Sequence, residues 1–154
     1  MLEGSPTWRR RNGVITLLEA LNFRSLIYVK QPLDRFHVLV GPNASGKTTF
    51  LDVPAFLGRL VSDGLESAIH ERTQNFQDLV WRREGRSFEL AIEAKIPEAR
   101  RRLLASRELD TIRYEVALRL SPKTDEMSIM SEKAVLKKAL LPNNQQRDLF
   151  PIQQ

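Results

Sequence analysis

The chain has 154 residues, 42% hydrophobic and 28% charged, with a net charge of +5 and no cysteine. This composition fits one soluble domain with a real core and excludes a disordered chain, a disulfide framework and thiolate metal sites. No apolar stretch approaches the roughly 18 residues that cross a bilayer, and Glu19 interrupts the apolar run near the start with no cleavage site after it, so a cytoplasmic protein without a signal peptide is expected.

In chain order, residues 1–13 read as a basic tail carrying Arg9, Arg10 and Arg11. Two apolar-rich strands are expected at 14–23 and 26–33, separated by Arg24 and Ser25. A third, short and buried, is expected at 36–40, "FHVLV", with His37 packed inside it. The segment "GPNASGKTTF" follows, and a helix begins with Thr49, Phe50 and Leu51. Pro54 removes one helix hydrogen bond, which predicts a kink near residues 50–52. Asp63 and Gly64 end that element. The next stretch is helical at first and turns out near Gln74 and Asn75.

Strict alternation then sets in. Phe88, Leu90, Ile92, Ala94 and Ile96 alternate with polar or small residues, as do Ile112, Tyr114, Val116, Leu118 and Leu120. That period of two predicts antiparallel strands at 87–96 and 111–120, with the even-numbered residues facing inward. A short helix starting at Pro97 joins them. A further strand or hairpin is expected at 126–138, and residues 139–154 read as a loose tail.

The pattern G-x-x-x-x-G-K-[ST] is filled by Gly41, Gly46, Lys47 and Thr48, between an expected strand and an expected helix, which is the context it requires. Its chemistry suits a nucleotide phosphate. Gly41 and Gly46 allow turns and close backbone approach, and the N–H groups of the intervening Pro42-Asn43-Ala44-Ser45 stretch, from Asn43 on to Thr48, can converge on an anion at the helix's positive end. Lys47 supplies a point charge for the outer phosphates. The Thr48 hydroxyl is a ligand for Mg²⁺, and Thr49 is expected to reach the α-phosphate.

Three features together resemble the N-terminal half of the ABC-type ATPase heads in the SMC, RecF and OLD-like families of AAA ATPases: "LNFRSL" (21–26), "VLVGPNASGKTTFLD" (38–52), and the antiparallel strands after the loop helix. The resemblance spans residues 14–138. It implies a mixed α/β fold, a P-loop NTPase half-domain in which strand, P-loop and helix are followed by an antiparallel β-sheet lobe. It also implies ATP and Mg²⁺ as cofactors, Arg24 as a phosphate or adenine-side contact, and Asn43 near the γ-phosphate. Ala44 stands where a glycine is commoner, and Pro54 interrupts a helix that is usually unbroken. Gln74, Gln77, Gln145 and Gln146 are all candidates for the magnesium-sensing glutamine of such heads.

A working head also has an apolar strand ending in Asp and Glu and a serine-glycine signature motif. Neither follows Thr48 here. The expectation is therefore the ATP-binding first lobe of a longer ATPase, which acts through a second head as a homodimer, has DNA as a further partner and no membrane, and is cut near the 139–154 tail. Two other readings stay open. One is a stand-alone P-loop kinase or GTPase, although the GTPase base-reading and switch motifs are missing. The other is a nucleic-acid-binding or partner-docking fragment with a vestigial nucleotide site, suggested by Arg82 and Arg83 beside Trp81 and by Arg100, Arg101 and Arg102.

Overall fold

The computed structural model describes residues 15–138. The tails expected at 1–13 and 139–154 lie outside the described residues, as do Gln145 and Gln146. Strands β1 (Ile15–Phe23), β2 (Leu26–Pro32), β3 (Ser87–Lys95), β4 (Thr111–Leu120) and β5 (Met127–Lys137) form one sheet in the order β2-β1-β3-β4-β5. Every neighbouring pair is antiparallel. Helix α1 (Lys47–His70) lies on one face, and the short helix α2 (Glu98–Arg101) sits in the β3–β4 connection.

The alternation sets the register. Phe88 faces Leu118 and Leu90 faces Val116 across β3 and β4, and Leu18 and Ala20 of β1 face Ile92 and Leu90. All but the half-buried Ile92 are buried beneath α1, which presents Phe50, Val53, Phe56, Leu57 and Leu60 at helical spacing. The rings of Phe23, Phe56 and Phe88 meet at centroid distances of 5.1 to 5.7 Å, and Phe76 stacks on Phe88 at 5.5 Å. The inward face expected for the even-numbered residues is thus observed, with Ile92 and Tyr114 half-buried at its edge and Ile112 exposed beyond it.

The opposite face is polar yet largely shielded from solvent, with Glu19, Glu89, Thr111, Arg113 and Glu115 buried there. Arg113 is the hub: it donates to Glu19 at 2.8 Å, to Glu115 at 3.0 Å and to Glu93 at 3.3 Å, while Tyr28 donates to Glu19 at 2.8 Å and Lys137 pairs with Glu93. Burial alone lowers the Arg113 pKa, but the hydrogen bond and charge of Glu19, then those of Glu115, outweigh it and the pKa is raised. The guanidinium is firmly cationic.

Two further expectations are corrected. Around Pro54 the backbone keeps helical dihedrals, so the kink expected near residues 50–52 does not interrupt the helix. The residue inside α1 that leaves helical dihedrals is Gly64, at φ 85° and ψ 177°, a region essentially reserved for glycine and the place where the sequence ended this element. Buried Phe50, Val53, Phe56 and Leu57 pin the chain to the sheet on both sides of Pro54, which holds the first turns on course. Residues 36–40 are not a buried strand either. They are irregular and unpaired among the described strands, with Phe36 81%, Val38 64% and Val40 88% exposed. A strand needs a neighbour's backbone groups, and the five-stranded sheet offers this segment none. His37 is correspondingly exposed, its Nδ1 accepting from the Asp34 N–H at 3.1 Å.

Removing one partner from a buried ion network leaves the other charge uncompensated, at a cost of about 3–5 kcal/mol. Arg113→Met should therefore lower stability by an amount in that range in urea unfolding, and Glu19→Gln added to it should recover part of the loss. A loss under about 1 kcal/mol would contradict a load on Arg113.

Candidate functional site

Residues 41–46 form an irregular loop between the exposed segment 36–40 and the first turn of α1. The loop closes tightly on itself. The Ser45 N–H donates to the Pro42 carbonyl at 3.3 Å, and a Cβ built on Gly41 would lie 2.8 Å from the Ser45 hydroxyl. Gly46 caps the helix at φ 89°, and its carbonyl accepts from the Phe50 N–H at 2.8 Å. Ala44 also has positive φ, at 64°, which costs a residue with a Cβ about 1–2 kcal/mol and accounts for glycine being the easier occupant.

Lys47 braces this loop from the helix. Its Nζ donates to the carbonyls of Gly41 at 2.8 Å and Pro42 at 2.6 Å, with the Ser45 hydroxyl at 3.3 Å. Thr48 is exposed in the first turn, and Asn43 is exposed on the loop. Thr49 is buried, and its hydroxyl is taken up by the Ser25 hydroxyl at 2.7 Å.

The support beneath the loop is the turn between β1 and β2. Phe23 pairs with Leu26, leaving Arg24 and Ser25 as a two-residue turn, and Arg24 takes the positive φ (50°) that tight hairpins favour. A Cβ at Gly46 would stand 3.1 Å from Leu26 and 3.2 Å from the Ser25 hydroxyl. Gly46 is therefore required by its φ, and a Cβ there would also press on these two side chains.

Arg24, expected at the nucleotide, pairs with Asp52 of α1, Nη1 to Oδ2 at 3.0 Å. Asp52 is held from the other side by Arg72, whose Nε lies 2.9 and 3.0 Å from the two carboxylate oxygens. Arg72 also donates to the Ala68 carbonyl at 2.9 Å and lies 5.2 Å from the centre of the Phe56 ring. Burial works against its charge, but the hydrogen bond and charge of Asp52, followed by those of Glu71, raise its pKa. Sequence reading missed both Asp52 and Arg72. Their spacing of 20 residues carries no local signal.

The remaining single residues lie elsewhere. His70 is exposed at the C-terminal end of α1, where a basic group suits the helix dipole. Trp81 has the Arg82 guanidinium over its ring at 4.4 Å. Gln74 is exposed, and Gln77, in a 3₁₀ turn capped by Asn75, has a buried side-chain oxygen without a hydrogen-bond partner among the described residues. The described residues contain no group of three or more His, Cys, Asp or Glu arranged to hold a metal, and no helix long and apolar enough to cross a membrane.

No family model and no curated protein matches the chain. Among solved structures it is similar to an SMC ATPase, from work on ATP-driven dimerisation and DNA-stimulated activation of SMC ATPases. The TM-score is 0.51 at 22% identity, covering 81% of this chain and 70% of that one. At that identity the likeness is one of fold alone.

Gly46→Ala should lower the melting temperature, by a loss greater than about 1 kcal/mol, because the strained φ and the close contact act together. Gly58→Ala makes the natural control. Nothing lies within 4 Å of its Cβ position on the helix, so it should stabilise by up to about 1 kcal/mol. Thermal unfolding showing the same sign for both would contradict the seating of the loop on the turn.

Proposed function

We propose that residues 14–138 are the ATP-binding first lobe of an SMC-like ATPase, with the loop from Gly41 to Thr49 as its triphosphate seat. The observation that carries this reading is the loop itself: two glycines at positions where a Cβ would crowd neighbouring side chains, a lysine bracing the loop from the helix, and a helix N-terminus directly beyond. The shared fold with an SMC ATPase supports it.

Each residue has a distinct task in this reading. The N–H groups of Asn43, Ala44, Gly46, Lys47 and Thr48 present positive dipole to phosphate oxygens, Pro42 shapes the turn, and Ser45 closes it. Lys47 exchanges loop carbonyls for phosphate oxygens. The Thr48 hydroxyl is the one protein ligand we assign to Mg²⁺, an ion that keeps most of its waters and fills its shell with substrate oxygens. The metal neutralises phosphate charge when bound. Thr49, buried against Ser25, anchors the first helical turn to the hairpin beneath it.

Hydrolysis needs more than this lobe provides. The exposed apolar side chains of 36–40 favour completion by a second lobe whose strand pairs with that segment, and which brings the carboxylates that orient water. A second head would then close over the nucleotide, giving a homodimer. Cytoplasmic placement, DNA as a partner, and a role in DNA repair or phage defence are extensions by family analogy. A stand-alone P-loop kinase is disfavoured by the wholly antiparallel sheet. The arginine-rich β3–β4 connection keeps a second reading in view, a nucleic-acid-docking fragment with a vestigial loop.

Titration calorimetry separates these readings. Lys47→Ala should weaken Mg·ATP binding at least about tenfold, or roughly 1.4 kcal/mol, and equal affinities would remove the site assignment. Phosphate release by the 154-residue chain should stay near background, and a Lys47-dependent turnover would instead place a catalytic carboxylate within these residues.

A further inference from the structure

Asp52 stands between two guanidinium groups that are held very differently. Arg72 is fixed: its side chain is 11% exposed, it contacts both carboxylate oxygens, it donates to the Ala68 carbonyl, and it packs on the Phe56 ring. Arg24 is 42% exposed and reaches Asp52 through a single contact at 3.0 Å. Its backbone is fixed nonetheless, because the Arg24 N–H donates to the Leu79 carbonyl at 2.9 Å and the adjacent Ser25 bonds Thr49 and lies 3.2 Å from the Cβ position of Gly46. The long side chain thus extends from a fixed root next to the loop.

We propose that Asp52 is a positioning residue that holds the Arg24 guanidinium beside the loop and releases it to the phosphates of a bound nucleotide, while Arg72 keeps Asp52 paired throughout. This rests on the triphosphate reading of the loop. The asymmetry makes the exchange inexpensive. A half-buried carboxylate stripped of its only cation would resist losing it, but Asp52, at 17% exposure, retains the two-oxygen contact with Arg72 after Arg24 departs. Arg24 in turn trades one carboxylate oxygen for phosphate oxygens, which its planar fork grips in pairs. Asp52 therefore competes with the nucleotide for Arg24 and sets how much of its charge reaches the site.

Two measurements on the full 154-residue chain test this. In calorimetry with Mg·ATP, Arg24→Ala should weaken binding about fivefold or more, and Asp52→Asn should strengthen it about threefold or more. In the double variant the gain from Asp52→Asn should vanish to within about twofold, since there is no arginine left to release. A gain that persists without Arg24, a loss on Asp52→Asn, or no effect of Arg24→Ala would overturn the proposal. Lys47→Ala, run alongside, separates failures: if it too leaves binding unchanged, the loop reading has fallen, and if it weakens binding while the Arg24–Asp52 cycle is flat, only this inference has. Circular dichroism checks that each variant is folded. The second measurement needs no variant to fold. In the unaltered protein, the guanidinium Nε–H resonance of Arg24 should move on adding Mg·ATP and that of Arg72 should not, and the reverse pattern would overturn the assignment.

Discussion

The approach of the β1–β2 turn to the first turn of α1 governs the rest of this molecule. Gly46 has no Cβ, so Leu26 and Ser25 come close enough that a methyl group there would lie 3.1–3.2 Å from them, and Ser25 and Thr49 join their hydroxyls across the gap. Phe23, one residue before the turn, carries the same contact into the core through Phe56 and Phe88. Helix, hairpin and central strand are thereby locked to one another where the glycine loop runs into α1. Arg24 continues from this joint to the helix through its ion pair with Asp52.

The other face of the sheet is stabilised on different terms. Apolar packing under α1 needs only complementary shape, whereas Arg113 with Glu19, Glu93 and Glu115 must be complete to be tolerated. A sheet of this kind could have used leucines. The network instead fixes register, since a one-residue slip of β4 would carry Arg113 away from Glu19 and turn apolar residues onto the charged side.

Much of this was legible in the sequence, and for clear reasons. The alternation in β3 and β4 announces which residues face α1, because side chains on a strand have no choice but to alternate. Gly46 is legible because a positive φ at a tight turn leaves few alternatives to glycine. What the sequence concealed depends on tertiary neighbours. Residues 36–40 look like a strand by composition, but a strand exists only with a partner beside it, and the described sheet supplies none. Pro54 reads as a kink until the buried residues around it are known, whereas the break at Gly64 falls where the sequence ended the element. Arg24 shows its motif but not its partner, since Asp52 lies 28 residues away. Glu19 and Arg113, 94 residues apart, carry no mutual signal at all.

The central claim is that the loop of residues 41–49, seated on the Arg24–Ser25 turn, holds a triphosphate. The most direct measurement is the change in backbone amide resonances when Mg·ATP is added, compared with adenosine alone. The account predicts the largest shifts at residues 43–48, with smaller ones at 24 and 25, and none at these positions with adenosine, which lacks the phosphates. Shifts confined to the arginine-rich connection at 98–107, with the loop unmoved, would contradict it.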